Sequence, residues 1–71
     1  MDRKLLRAIR LYKEYSQNEM ASILGISRKM YGFKENGKKD FTISDVVKIK
    51  NHLELSLDDV NKIFFDDIIA K

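Results

Sequence analysis

The feature that most constrains this chain is a pair of helix boundaries set almost against each other. Ser16 and Glu19 have the S-x-x-E spacing of a capping box, in which hydroxyl and carboxylate each accept a backbone N–H of the first turn. Gly25 supplies the left-handed residue on which a helix stops, and Ser27 follows at once as a second N-cap. The spacing predicts one helix from Ser16 to Leu24 and another from Ser27 to about Lys34, ended by Asn36-Gly37. The turn between them has only two or three residues. Two helices on so brief a connection cannot lie antiparallel, so they must cross steeply.

Other boundaries follow the same logic. Thr42 with Asp45 and Ser56 with Asp59 are two further capping boxes. The first opens a helix from Ile43 to about Leu53, with Val46, Ile49 and Leu53 at three- and four-residue spacing. The second opens a helix from Leu57 to about Phe65, with the pattern running on through Ile69. A helix from Asp2 to Lys13 comes first, with Asp2 placed to favour its N-terminus. Strand alternation is hard to find, proline is absent, and no Gly/Ser-rich linker interrupts the chain. The expectation is an all-α fold of five helices, one domain over 1–71, with 60–71 as an association segment.

Composition removes several function classes. With 71 residues the chain has room for one core, and a domain of this size buries only about 60% of its unfolded surface. Cysteine is absent, so there is no disulfide and no thiolate metal site, and a single histidine, His52, builds no metal site alone. Asp58-Asp59 and Asp66-Asp67 are sequence neighbours, point apart on a helix, and read as caps and surface. No nucleophile, base and orienting group can be assembled, so neither an enzyme nor a cofactor is expected. No signal peptide or membrane span is recognisable, and a cytoplasmic protein without a small-molecule ligand is expected. Charge is uneven: residues 1–39 hold ten Lys or Arg against four Asp or Glu, a balance of +6, whereas residues 40–71 hold four against seven, a balance of −3. A positive half joined to a negative half suits a face turned to a polyanion.

The steep crossing is the geometry of a helix-turn-helix unit, and its packing needs are met by residue type. Ala21 is small where the helices touch, and Met20, Leu24, Ile26 and Tyr31 supply an apolar inner face. The runs Ser16-Gln17-Asn18-Glu19-Met20-Ala21, Leu24-Gly25-Ile26-Ser27-Arg28 and Glu35-Asn36-Gly37-Lys38 resemble the Xre-type (Cro-like) helix-turn-helix regulators, among them small phage and mobile-element repressors. The resemblance continues through Phe41-Thr42-Ile43 and Leu53 to Asp59. It implies a lambda-repressor-like five-helix domain that binds double-stranded operator DNA, usually as a homodimer, and acts as a repressor or regulator.

The resemblance also implies roles for matching positions. Gln17 contacts a phosphate and braces the recognition helix, and Ser27, Arg28 and Lys29 open that helix where bases and phosphates are read. Gly32 and Phe33 are the next outward positions. Asn36, Lys38 and Lys39 lie in the loop that clamps the DNA backbone. Arg10 and Glu35 match a pair that forms an ion pair between helices one and three. Arg3, Lys4 and Arg7 are read as solvated, Tyr12 and Tyr15 as flanking the core.

Departures from the pattern are specific. Gly32 weakens the recognition helix by about 1 kcal/mol relative to alanine. Phe33 stands where a polar reader is usual, open to a thymine methyl or to simple packing, and Lys34 where an apolar residue is usual. Glu14 and Glu54 replace helix-ending glycines, so turns of another geometry are expected there. The C-terminal run is too apolar for one helix face, and Phe65, Ile68 and Ile69 are expected exposed in a monomer, as a twofold interface. A rival expectation follows from Gly32 and Phe33: an antirepressor or antitoxin-like module that keeps the fold and binds a protein.

Overall fold

The structure is a computed structural model, and it describes residues 1–65. Five helices occur there: α1 (Arg3–Tyr12), α2 (Gln17–Leu24), α3 (Arg28–Glu35), α4 (Ile43–Leu53) and α5 (Leu57–Phe64). The three capping boxes all close. Ser16 Oγ accepts from the Glu19 N–H at 3.0 Å while Glu19 Oε1 accepts from the Ser16 N–H at 2.9 Å, and Thr42–Asp45 and Ser56–Asp59 repeat the exchange. Asp2 and Ser27 cap α1 and α3 with single side-chain bonds. Sequence-derived starts therefore differ from the observed ones only by the cap residue. Any continuation of α5 through Ile69 lies outside the described residues.

Four of the helices end in one motif, and two of the four use glutamate. After α2 the Ile26 N–H donates to the Ala21 carbonyl and the Gly25 N–H to Ser22, with Gly25 at φ +70°. This is the Schellman arrangement, which satisfies carbonyls the helix leaves unpaired. A Cβ at Gly25 would meet nothing within 4 Å, so glycine is there for its backbone alone. Helices α1 and α4 make the same turn at Glu14 (φ 63°) and Glu54 (φ 56°), with Tyr15 bonding back to Arg10 and Leu55 to Lys50. The expected change of geometry does not occur. The left-handed region costs a residue with a Cβ about 1–2 kcal/mol, and the apolar residue that follows holds the turn. Leu55 is buried, and Tyr15 packs against the core while its hydroxyl donates to the His52 carbonyl.

The core joins all five helices. Leu6 of α1, Met20 of α2, Tyr31 of α3, Ile49 and Leu53 of α4 and Ile63 of α5 are buried with almost no exposure. Each such side chain contributes about 1.5–3 kcal/mol through its removal from water. Ala21, small as the crossing requires, is buried where α2 meets α3. Phe41, between α3 and α4, stacks edge-on to Tyr31 and to Phe64, with centroids 6.2 and 5.4 Å away. An Asp2 N–H bond to the Ile63 carbonyl ties the start of α1 to α5. Tyr12, expected at the core edge, is 86% exposed and does not flank it.

Candidate nucleic-acid interface

Helix α3 is fixed in rotation by what it buries. Tyr31 and Glu35, four residues apart, face inward and are fully covered. At 3.6 residues per turn this turns Lys29 and Phe33 outward, with Arg28 at the exposed front of the helix. The inward carboxylate is met by a fork: Arg10 Nε donates to Glu35 Oε2 at 2.8 Å and Arg10 Nη2 to Oε1 at 3.2 Å. Arg10 also donates to the Tyr15 carbonyl, so the guanidinium joins α1, its C-terminal turn and α3. Burial pushes the Glu35 carboxyl up, but the bonds and charge of Arg10, with lesser help from Tyr31 and Gln17, outweigh it and hold the group below its ordinary value. The Tyr31 hydroxyl beside it is buried outside ordinary hydrogen-bond geometry. Burial first, then the neighbouring carboxylate, push that phenol far up, so it stays neutral.

Gln17 carries this buried pair to the surface. Its Nε2 donates to Glu35 Oε1 at 3.4 Å, while its Oε1 accepts from Arg28 Nη1 at 3.3 Å. One amide thus connects the inside of the domain to the first residue of α3. A Cβ placed on Gly32 would lie 3.8 Å from the same Gln17 oxygen, an ordinary contact, so the fold does not demand glycine there.

Lys34, in a position where an apolar residue is usual, is half-buried and pairs with Asp45 at 2.5 Å. Its ammonium also lies 5.9 Å from the Phe41 centroid, so its stem fills the space an aliphatic side chain would take. Asp45 already caps α4 through the Thr42 N–H. Burial raises its carboxyl, but Lys34 and the Thr42 bonds hold it below the ordinary range.

The other expected contact residues fall into two groups. Ser27 is exposed, with its oxygen occupied by the Met30 N–H at 3.0 Å. Lys29, Lys38 and Lys39 are exposed and make no ion pair among the described residues. Lys38 is held by its backbone, since its N–H donates to the Phe33 carbonyl at 2.8 Å in the turn after α3. Asn36, by contrast, is engaged within the protein. Arg7 donates to its Oδ1 at 3.2 Å and Arg3 to its carbonyl at 2.9 Å, and Arg7 also stands 3.6 Å from Glu35. Reading Arg3 and Arg7 as merely solvated is therefore corrected. Their spacing with Arg10 at three and four residues, one face of α1, was the available signal.

Beside the loop after α3, a cleft of about 600 Å³ is lined by Arg3, Asn36, Lys39, Phe41, Phe64 and Phe65, among others. Phe65, expected exposed, is half-buried against the core, and Ile68 and Ile69 lie outside the described residues. No three metal-capable side chains cluster, and no helix is long and apolar enough to cross a membrane, among the described residues.

Comparison with known proteins agrees with this geometry. A family model described as helix-turn-helix matches residues 6–60. The chain is 42% identical over 53 residues to an SPbeta prophage-derived uncharacterized HTH-type transcriptional regulator, YonR, of Bacillus subtilis (strain 168). The match covers 75% of this chain and 49% of that protein, so the chain spans about half the length of the curated relative it matches. No solved structure matches.

Proposed function

The chain belongs to the helix-turn-helix family, and from that premise we propose that it is a DNA-binding transcriptional regulator that places α3 in the major groove of duplex DNA. The observation that carries this proposal is the set of cations around the outward face of α3. Arg28 and Lys29 stand at its N-terminus and Lys38 and Lys39 in the loop behind it, with no acidic partner for the three lysines among the described residues. Two cations at a helix N-terminus oppose the helix dipole. A polyanion removes that conflict. Gln17, which holds Arg28 from behind, orients the guanidinium toward the groove, where a bidentate pair with guanine is within its chemistry. Lys38 and Lys39 serve phosphates, which position the protein without reading sequence.

The regulator acts as a repressor, and a homodimer on a palindromic operator is the proposed arrangement, with two α3 helices about 34 Å apart. Its association surface is the segment 60–71, including Phe65, Ile68 and Ile69, and the balance of −3 over residues 40–71, the half of the chain to which it belongs, keeps it from DNA. Sedimentation equilibrium at high micromolar concentration tests this, and a monomer there rejects the dimer.

Binding is tested by titrating duplex DNA at several salt concentrations. Lys38→Ala is expected to weaken specific and random duplexes alike and to lower the slope of log affinity against log salt by about 0.9. Arg28→Ala is expected to weaken the specific duplex by about 1–3 kcal/mol and relax preference at one base pair. Absence of binding to any duplex at low salt rejects the proposal.

A further inference from the structure

We infer that α3 reads thymine through its C5-methyl group, with the ring of Phe33 as the contacting surface. The inference rests on the proposal that α3 enters the major groove. It starts from an aromatic residue that the fold does not use. Phe33 is half-covered, yet it belongs neither to the buried core nor to the partly buried side chains packed against it. Its ring is covered instead by cations. The Lys29 ammonium lies 5.7 Å from the ring centroid and that of Lys38 5.5 Å.

Both lysines are placed by backbone geometry. Lys29 is one helical turn before Phe33, and Lys38 is fixed by its N–H bond to the Phe33 carbonyl, which also accepts from Lys39 at 3.3 Å. The outward face of α3 thus presents an apolar ring between positive charges. Phosphates on either side of a groove suit the ammoniums, and the ring is left for the groove floor.

That floor offers the ring one complementary group. Major-groove edges consist of hydrogen-bond donors and acceptors, save the methyl of thymine. Phe33 neither donates nor accepts, and Gly32 beside it has no side chain. Set against a guanine, cytosine or adenine edge, the ring would strip water from polar atoms and return no bond. Set against a thymine methyl, it buries an apolar surface on both sides. Arg28 then reads by hydrogen bonding at the front of the helix, and Phe33 reads by shape and polarity one turn further in.

The experiment uses the full chain and duplexes selected from a random pool by binding to it. The tightest duplex is resynthesised with deoxyuridine replacing thymidine one position at a time, which deletes only the methyl. Uracil at one or more positions is expected to weaken binding about fourfold, the worth of one buried carbon group. Phe33→Ala is expected to bind the thymine and uracil duplexes equally at that position, while Phe33→Leu keeps part of the difference. Circular dichroism checks that both variants fold, as the exposed side of α3 allows. Indifference of the unmodified protein to every uracil overturns the inference while leaving DNA binding intact, and so does discrimination that survives Phe33→Ala. Failure to enrich any duplex overturns the inference and the function on which it rests together.

Discussion

Glu35→Gln is the perturbation with the largest expected effect on this fold. The substitution keeps the shape of a fully buried side chain and deletes its charge, leaving Arg10, only 7% exposed, without the carboxylate its fork was built on. Removing one member of a buried ion pair costs about 3–5 kcal/mol. A chain of 71 residues has a total stability on the order of 4–10 kcal/mol, so the loss consumes from a third of it to all of it. With about 4–8 °C per kcal/mol for a domain of this size, the melting temperature falls by roughly 12 °C or more. Urea unfolding followed by circular dichroism at pH 7 measures the free-energy change directly. The companion variant is Arg10→Met with Glu35→Leu, which removes both charges and is expected to recover most of the loss. In that double variant the Gln17 amide loses its Glu35 acceptor, so DNA affinity is expected to stay low in a folded protein. A Glu35→Gln variant within about 1 kcal/mol of the parent, or a double variant as damaged as the sum of Arg10→Met and Glu35→Leu made separately, would refute the coupling.

Three further outcomes follow from particular residues. Glu35 and Asp45 both have carboxyls held below their ordinary values of 4.5 and 3.8, so the folded state binds their protons less tightly than the unfolded state. Their contribution is present in full above about pH 5 and is lost as pH falls below about 4; a urea midpoint at pH 3 equal to that at pH 7 would contradict this. Gly32→Ala is expected to raise stability by about 0.5–1 kcal/mol, since its Cβ meets only Gln17 Oε1 at 3.8 Å, and a lower melting temperature would show that the site is tighter than the geometry. Glu54→Gly is expected to stabilise by roughly 0.5–1 kcal/mol, because relief of left-handed strain exceeds the extra chain entropy of glycine. A destabilised variant in thermal melts would mean that the Glu54 side chain contributes more than its backbone costs.

The helix-turn-helix crossing was legible because capping chemistry is local. Ser16 with Glu19, Gly25 and Ser27 state their roles within a single turn of chain, and the helices begin and end beside them. The same holds for the exposure of Lys29, which follows from helical period once Tyr31 and Glu35 are assigned inward, and for that of Arg28, which follows from its place as the first residue of α3. Resemblance to the Xre-type regulators supplied the expectation that Arg10 and Glu35 pair; periodicity alone cannot link residues twenty-five apart.

Tertiary structure decided what depends on several helices at once. Sequence could not show that Arg3 and Arg7 are occupied by Asn36, because α1 and the loop after α3 meet only in the folded chain. Nor could it show that Glu14 and Glu54 accept left-handed backbone, since the compensation comes from packing of Tyr15 and Leu55 against the core. The recognition helix divides along the same line. Its ends and its inward face are written in local spacing. The cover of Phe33 by Lys29 and Lys38, four and five residues away, is local in the same way. The bridge through Gln17 arises from contact between α2 and α3, and side-chain geometry across a helix crossing is set by packing rather than by order along the chain.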